Sequence, residues 1–207
     1  MSFEAWLIFA LFWIVFVTTP GPNAVNCIQQ GLSVGFRKSL LCVAAILTQA
    51  SAFLILSAFG VTALILASPK AFFVLQIVGA LFLIVLGIRG WMSAKTAVAV
   101  EDRGGRSIYF QALSIATLNA KSVAGYLAAF SQFVEPQTPV WDQMAVIMPT
   151  ALSLTALSYI SYCAIGAGLG KLAIGAVLNT WFRRTMALCF VIYGALLGGA
   201  VLQGKLR

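Results

Sequence analysis

The chain has 207 residues, of which 61% are hydrophobic and only 9% are charged. A soluble domain carries about 25% charged residues, because its surface has to be solvated by water. The 13 basic and 5 acidic side chains cannot cover a globule of this size. The composition therefore excludes a soluble single domain, a disordered tail and a disulfide-stapled secreted module, and it predicts a protein embedded in a bilayer.

Long runs without charge predict the membrane-spanning segments. Each run is near or above the roughly 20 apolar residues that cross a bilayer, and none shows the alternation of a barrel strand. The predicted helices cover residues 3–27, 40–67, 71–92, 109–133, 144–168 and 182–203. The predicted fold class is therefore an all-α integral membrane protein with six transmembrane helices.

The six predicted helices divide into two triplets. Residues 1–92 form the first three-helix repeat, residues 93–108 a charged cytoplasmic linker, and residues 109–207 the second three-helix repeat. Because three is an odd number, the second triplet has to enter the membrane in the opposite sense. The pattern predicts two inverted repeats, the plan of many secondary transporters.

The positions of lysine and arginine predict the orientation, because basic residues collect on the cytoplasmic side. Three basic residues lie on one side of the predicted helices, and Lys121 lies within a helix. Nine lie on the other side: Arg37, Lys38, Arg89, Lys95, Arg103, Arg106, Lys171, Arg183 and Arg184. Both termini are therefore predicted outside, on the periplasmic side of the inner (cytoplasmic) membrane. The net charge of +8 is interpreted as this topology signal, and no nucleic-acid partner is predicted.

The first predicted helix is interrupted by prolines. Pro20 and Pro22 each remove a backbone donor, and Gly21 between them permits backbone angles that other residues avoid. In a bilayer, irregular backbone survives only where it is buried in protein or lines a water-filled cavity. The segment is either a broken helix at such a cavity or a turn after a helix that ends at Thr19.

The fourth predicted helix carries a lysine at its middle. An isolated lysine there costs at least about 2.5 kcal/mol on insertion scales, so Lys121 should face a polar interior or a partner. The alternative is that its stem runs along the helix to the interface, about twelve residues away by count. The two interruptions occupy similar places in the two triplets. They predict a polar cavity that joins Pro20–Asn23 to Asn119–Lys121.

The interrupted segments also carry a family resemblance. Thr19-Pro20-Gly21-Pro22-Asn23, Gly79-Ala80-Leu81-Phe82-Leu83 and Leu118-Asn119-Ala120-Lys121-Ser122 resemble motifs of the LysE/RhtB amino-acid exporters. The resemblance implies six helices and export of amino acids or their derivatives, driven by the proton gradient. Ala120 stands where the family usually has proline. Thr155 stands where some relatives have aspartate, and no carboxylate lies deep in any predicted helix.

A transported amino acid needs donors for its carboxylate and acceptors for its ammonium group. We expect Lys121 to pair with the carboxylate and to exchange a proton during the cycle, and Asn23 and Asn119 to hydrogen-bond either end. Free carbonyls around Thr18 and Thr19 would suit the ammonium group. Gln49 and Tyr162 are further candidates, with interhelical hydrogen bonding as the alternative. The predicted substrate or ion site is Thr19, Pro20, Gly21, Pro22, Asn23, Gln49, Asn119, Lys121 and Tyr162.

Several functions are disfavoured by what the sequence lacks. Histidine is absent and the four cysteines are scattered, so no metal site, cofactor or enzymatic activity is predicted. The predicted partners are an amino acid, protons, the lipid bilayer and a second copy in a homodimer. Two alternatives remain: a membrane adaptor or assembly protein that transports nothing, and an exporter of another small solute such as a metal ion. Gly166 and Gly194, each followed four residues later by glycine, predict close helix contacts.

Overall fold

The computed structural model describes residues 2–95, 107–135, 137–169 and 179–203. Within these ranges the chain is helical and contains no strand, so the predicted all-helical class is confirmed there. The elements are α1 (Phe3–Thr18), α2 (Pro22–Val34), α3 (Phe36–Ala67), α4 (Pro69–Met92), a 3₁₀ turn (Ser93–Lys95), α5 (Ile108–Leu118), α6 (Ala120–Phe133), α7 (Val140–Leu169) and α8 (Thr180–Leu202).

Four helices in the described ranges, α3, α4, α7 and α8, are long and apolar enough to cross a membrane. A fifth span results if α1 and α2, which meet at a bend of 59°, are counted as one. Helix α5 is apolar but shorter than a span. The structure thus supports four to five candidate spans, while the count of six and the inverted repeat stay predictions.

The predicted end of the first helix, at residue 27, is wrong. After the break the chain resumes as α2 at Pro22 and stays helical to Val34. Proline suits the first position of a helix because the N–H that it lacks has no intrahelical partner there. Gly35 follows the last residue of the helix, and its φ of 80° lies in a region that glycine adopts without steric cost.

Two apolar clusters form the core, and the α1–α2 break lies between them. Helix α1 contributes a run of aromatic side chains, among them Phe9, Phe12 and Trp13, to the first cluster. Helix α2 contributes Cys27 and Ile28 to the second. Helix α7 contributes to both clusters, since it runs past the end of α1 and along α2.

Glycines bring two helix pairs into backbone contact. A Cβ atom added at Gly166 of α7 would overlap the backbone of Ile28 in α2. One added at Gly194 of α8 would lie 2.8 Å from the carbonyl oxygen of Ala80 in α4. The prediction that both glycines permit close helix contacts is confirmed. These contacts hold α2 against α7 and α4 against α8.

Candidate functional site

The end of α1 is held by threonine side chains. The hydroxyl of Thr18 donates to the carbonyl oxygen of Ile14 (2.6 Å), and that of Thr19 donates to the carbonyl oxygen of Val15 (2.5 Å). The backbone N–H of Thr19 also donates to Val15 (3.1 Å). These bonds run back along the helix, so α1 stays regular up to Thr18, and Thr19 is the extended residue that caps it.

The carbonyls just before the break are bonded by α7. In an unbroken helix the carbonyls of Val17 and Thr18 would accept from backbone N–H groups four residues later. Instead, the Ser158 hydroxyl donates to Val17 (3.3 Å) and the Tyr162 hydroxyl donates to Thr18 (2.6 Å). The expectation that Thr18 offers a free carbonyl to an ammonium group is therefore wrong. A side chain 144 positions away in sequence occupies that carbonyl.

The second break lies at Asn119, between α5 and α6. Its backbone is extended, with φ of −73° and ψ of 106°, and α6 begins at the next residue. Lys121 belongs to the first turn of α6. The side chain of Lys121 lies outside the described part of the structure, so its predicted role stays a prediction.

The two breaks meet at one small cavity. From the first break Thr19, Gly21 and Asn23 line it, and from the second Asn119 and Ser122. Its volume of about 10 Å³ is room for about one water molecule. The remaining lining residues are Phe16, Val17, Tyr126 and Tyr159. Polar groups from both interrupted segments are thus assembled around one cavity.

Asn23 presents an acceptor at this cavity. Its side chain is 4% exposed, and its Oδ1 has no hydrogen-bond partner among the described residues. A buried polar atom without a partner is uncommon in native structures, because its desolvation is not compensated. An unpartnered carbonyl oxygen at a polar cavity suits a donor such as an ammonium group or a water molecule.

Gln49 and Tyr162 do not line the cavity. The side chain of Gln49 is 3% exposed, and neither its Oε1 nor its Nε2 has a partner among the described residues. Asn26 of α2 contacts Cys42 of α3 at 3.6 Å, which relates the two helices. Gln49 lies seven residues, about 10 Å, beyond Cys42 along α3. Since Asn26 precedes Gly35 by nine residues and Cys42 follows it by seven, their contact pairs α2 and α3 in opposite directions, which places Gln49 near the level of the α1–α2 break.

The two prolines lie at the edges of the site. Pro20 is buried and lines a second cavity towards α4 and α8, whereas Pro22 forms the first turn of α2. Thr155 of α7 accepts a hydrogen bond from the indole of Trp13 (3.1 Å). Its own hydroxyl donates to the carbonyl oxygen of Ala151 (2.6 Å). Thr155 therefore links α7 to α1.

Three lining residues that carry a polar side-chain group were not among the predicted site residues: Ser122, Tyr126 and Tyr159. The first two follow Asn119 by three and seven positions, which is the spacing of one helix face. That spacing could have identified them from the sequence. Tyr159 lies on another helix, α7. No local pattern could have placed it here.

The described residues contain no group of three or more histidine, cysteine, aspartate or glutamate side chains placed to hold a metal ion. The described residues form an apolar helical bundle in which the α1–α2 break and the break at Asn119 line one polar cavity. This architecture is characteristic of membrane transporters.

Comparison with known proteins agrees with that class. The family model described as LysE type translocator matches residues 14–200, so the chain belongs to the LysE translocator family and is a transmembrane transporter. No solved structure matches significantly.

Curated relatives match over most or all of their length. A Vibrio cholerae protein named "uncharacterized membrane protein" is 29% identical over 97% of this chain and 99% of its own length. The homoserine/homoserine lactone efflux protein of Salmonella typhimurium is 26% identical over 97% of this chain and 98% of its own length. The leucine efflux protein of an Enterobacter species is 28% identical over 73% of this chain and 72% of its own length. Amino-acid efflux relatives support an exporter.

Proposed function

We propose that this chain is a secondary-active exporter that carries amino acids or their derivatives outward across the cytoplasmic membrane, coupled to protons. The observation that supports this most directly is the buried polar cavity lined by both interrupted helices. An adaptor has no need of such a cavity, because it works through its outer surface. The names of two relatives, which refer to homoserine and leucine efflux, favour amino acids over other solutes.

The lining residues suit the two ends of an amino acid. The unpartnered Oδ1 of Asn23 is an acceptor for an ammonium group. Asn119 and Ser122 supply amide and hydroxyl groups that hydrogen-bond either end. In this proposal Lys121, in the first turn of α6, supplies the cation for the carboxylate and the group that exchanges a proton. Gln49 of α3, which does not line the cavity in this conformation, is a further buried polar group that we assign to the site.

Transport requires the cavity to enlarge, because space for one water molecule cannot hold an amino acid. The 59° bend between α1 and α2 provides a place where the two segments can change their angle without breaking regular helical hydrogen bonds. In the proposed cycle, residues 1–92 and 109–207 are the two inverted repeats, joined by the linker 93–108. They move against each other so that the cavity opens alternately to either side.

Efflux from preloaded cells tests the proposal. Cells that overproduce the protein are loaded with dipeptides that release homoserine, leucine, threonine or lysine, and the amino acids appearing outside are measured. We expect faster efflux of one class than in cells without the protein, and loss of the increase when a protonophore collapses the gradient. Lys121→Ala should lower this efflux on the order of tenfold, equivalent to about 1.4 kcal/mol.

Lys70→Ala is the matched control, because Lys70 is exposed and precedes the third predicted membrane helix. Both variants have to reach the membrane in wild-type amounts. Wild-type efflux from Lys121→Ala would contradict the role given to Lys121. No efflux of any amino acid from inserted protein would favour another solute or the adaptor.

A further inference from the structure

A second cavity of about 190 Å³ lies between the C-terminal end of α4 and the N-terminal end of α8. We call it the vestibule. Thr19 and Pro20 form part of its wall, and Thr19 also lines the central cavity. The α1–α2 break is therefore the partition between the vestibule and the central cavity. By the positive-inside pattern, the vestibule belongs to the cytoplasmic half of the protein.

Two guanidinium groups line the vestibule. Arg89 comes from the last turn of α4 and Arg183 from the first turn of α8, and none of the described lining residues is acidic. Arg183 donates through Nη1 to the carbonyl oxygen of Ala94 (2.8 Å) and through Nη2 to that of Ser93 (2.9 Å). Arg183 is thus fixed against the end of α4. Two cations at one recess repel each other and attract an anion.

The neighbouring helices restrict what that anion can be. A lipid headgroup would need its acyl chains to pass sideways between α4 and α8. At Gly87 an added Cβ would lie 2.6 Å from the carbonyl oxygen of Ala187, so α4 and α8 are in backbone contact there. The contact of Gly194 with Ala80 brings the same two helices together further along. No gap for an acyl chain remains at these contacts. A small soluble anion reaches the vestibule from the water side instead.

We propose that Arg89 binds the carboxylate of the exported solute in the vestibule before the solute passes the Thr19–Pro20 partition. This inference rests on the proposed function, and it assigns the selection of carboxylate-bearing solutes to this place. Arginine suits the role because its planar group donates two parallel hydrogen bonds to a carboxylate. In the described conformation the vestibule is far larger than the central cavity, so the solute is held here first. Arg183 adds positive charge and positions the end of α4.

Homoserine and homoserine lactone provide the test, because the lactone has the carboxylate closed into an ester. Efflux of each compound is measured from proteoliposomes loaded with it, for wild type, Arg89→Gln, Arg89→Lys and Lys38→Gln. Lys38→Gln is the matched control, since it removes one exposed positive charge at the end of the bundle that is also predicted cytoplasmic. All four proteins are reconstituted in equal amounts.

We expect Arg89→Gln to lower homoserine efflux at subsaturating concentration on the order of tenfold, equivalent to about 1.4 kcal/mol. Lactone efflux should stay within about twofold of wild type, well below the tenfold scale that 1.4 kcal/mol represents. Arg89→Lys should restore part of the homoserine rate, and Lys38→Gln should leave the ratio of the two rates unchanged.

Equal losses for both compounds in Arg89→Gln, or the same change of ratio in Lys38→Gln, would overturn the assignment while leaving the exporter proposal intact. If wild-type proteoliposomes release neither compound, nor any other amino acid, faster than empty ones, the proposed function fails and the assignment fails with it.

Discussion

The close contact between α2 and α7 predicts that replacing Gly166 by alanine destabilises the protein. A Cβ added there would overlap three backbone atoms of Ile28, which cannot rotate away as a side chain can. Gly168 lies half a turn away on the same helix and has no atom within 4 Å of the added Cβ. Gly166→Ala and Gly168→Ala are therefore the same chemical change on one helix, with and without the backbone clash.

The magnitude follows from the overlap. Carbon atoms pack best at about 3.5–4.0 Å, so α2 and α7 have to separate by about 1 Å to accept the methyl group of Gly166→Ala. Overpacking of this kind costs about 1–3 kcal/mol. Replacing glycine by alanine inside a helix otherwise stabilises by about 1 kcal/mol. Gly168→Ala should show that gain alone, and Gly166→Ala should show the net loss.

Thermal unfolding of the purified protein in detergent measures the difference. For a chain of this length 1 kcal/mol corresponds to about 2–4 °C, so a difference of about 1–3 kcal/mol should make Gly166→Ala unfold about 2–12 °C below Gly168→Ala. All samples are scanned at one rate, because irreversible unfolding depends on it. Efflux should also fall in Gly166→Ala, since α2 carries Asn23 and α7 carries Tyr159 to the same cavity. Equal unfolding temperatures for the two variants would refute the close backbone contact.

Two hydrogen-bonding predictions complete the set. Tyr162→Phe leaves the carbonyl of Thr18 without its donor, so we expect a loss of about 1–3 kcal/mol and slower efflux. Tyr109→Phe is the control for Tyr162→Phe, because the Tyr109 hydroxyl forms its hydrogen bond at an exposed position. Equal unfolding temperatures for these two variants would contradict the role of Tyr162. Gln49→Leu should raise the unfolding temperature, because it removes a buried amide without partners, while lowering efflux. Gln76→Leu should lower the unfolding temperature instead, because the Gln76 amide donates a hydrogen bond that leucine cannot make. A lower unfolding temperature for Gln49→Leu would contradict the place of Gln49 in the site.

Much of the helical arrangement could be predicted from composition. Long apolar runs located the described α-helices at least in part, because a segment that crosses hydrocarbon has to be apolar and to satisfy its own backbone, although α1 with α2 and α5 with α6 were each predicted as one helix. The break at Pro20–Pro22 was predicted for the same reason, since proline lacks a donor. The exact end of α2 was not, because residues 23–30 include four polar side chains and therefore do not continue the apolar run, although residues 23–28 are buried against other helices.

The candidate site was predicted in part. The sequence indicated that the segments around Asn23 and Asn119 belong together, and the structure has both at one cavity. It did not indicate that Tyr162 occupies the carbonyl of Thr18, or that Tyr159 lines the cavity. Both depend on α7 crossing the α1–α2 break.

The sequence by itself therefore determined that the protein lies in a lipid bilayer, that it is helical, and where its two interrupted segments fall. Each of these is a local consequence of which side chains and backbone donors a short segment contains. Only the tertiary structure decided which groups the interruptions face. Glycine contacts such as Gly166 on Ile28 set the distance between helices, and that distance decides which polar atoms are bonded and which stay available. Such contacts join residues more than a hundred positions apart, so no pattern along the chain encodes them.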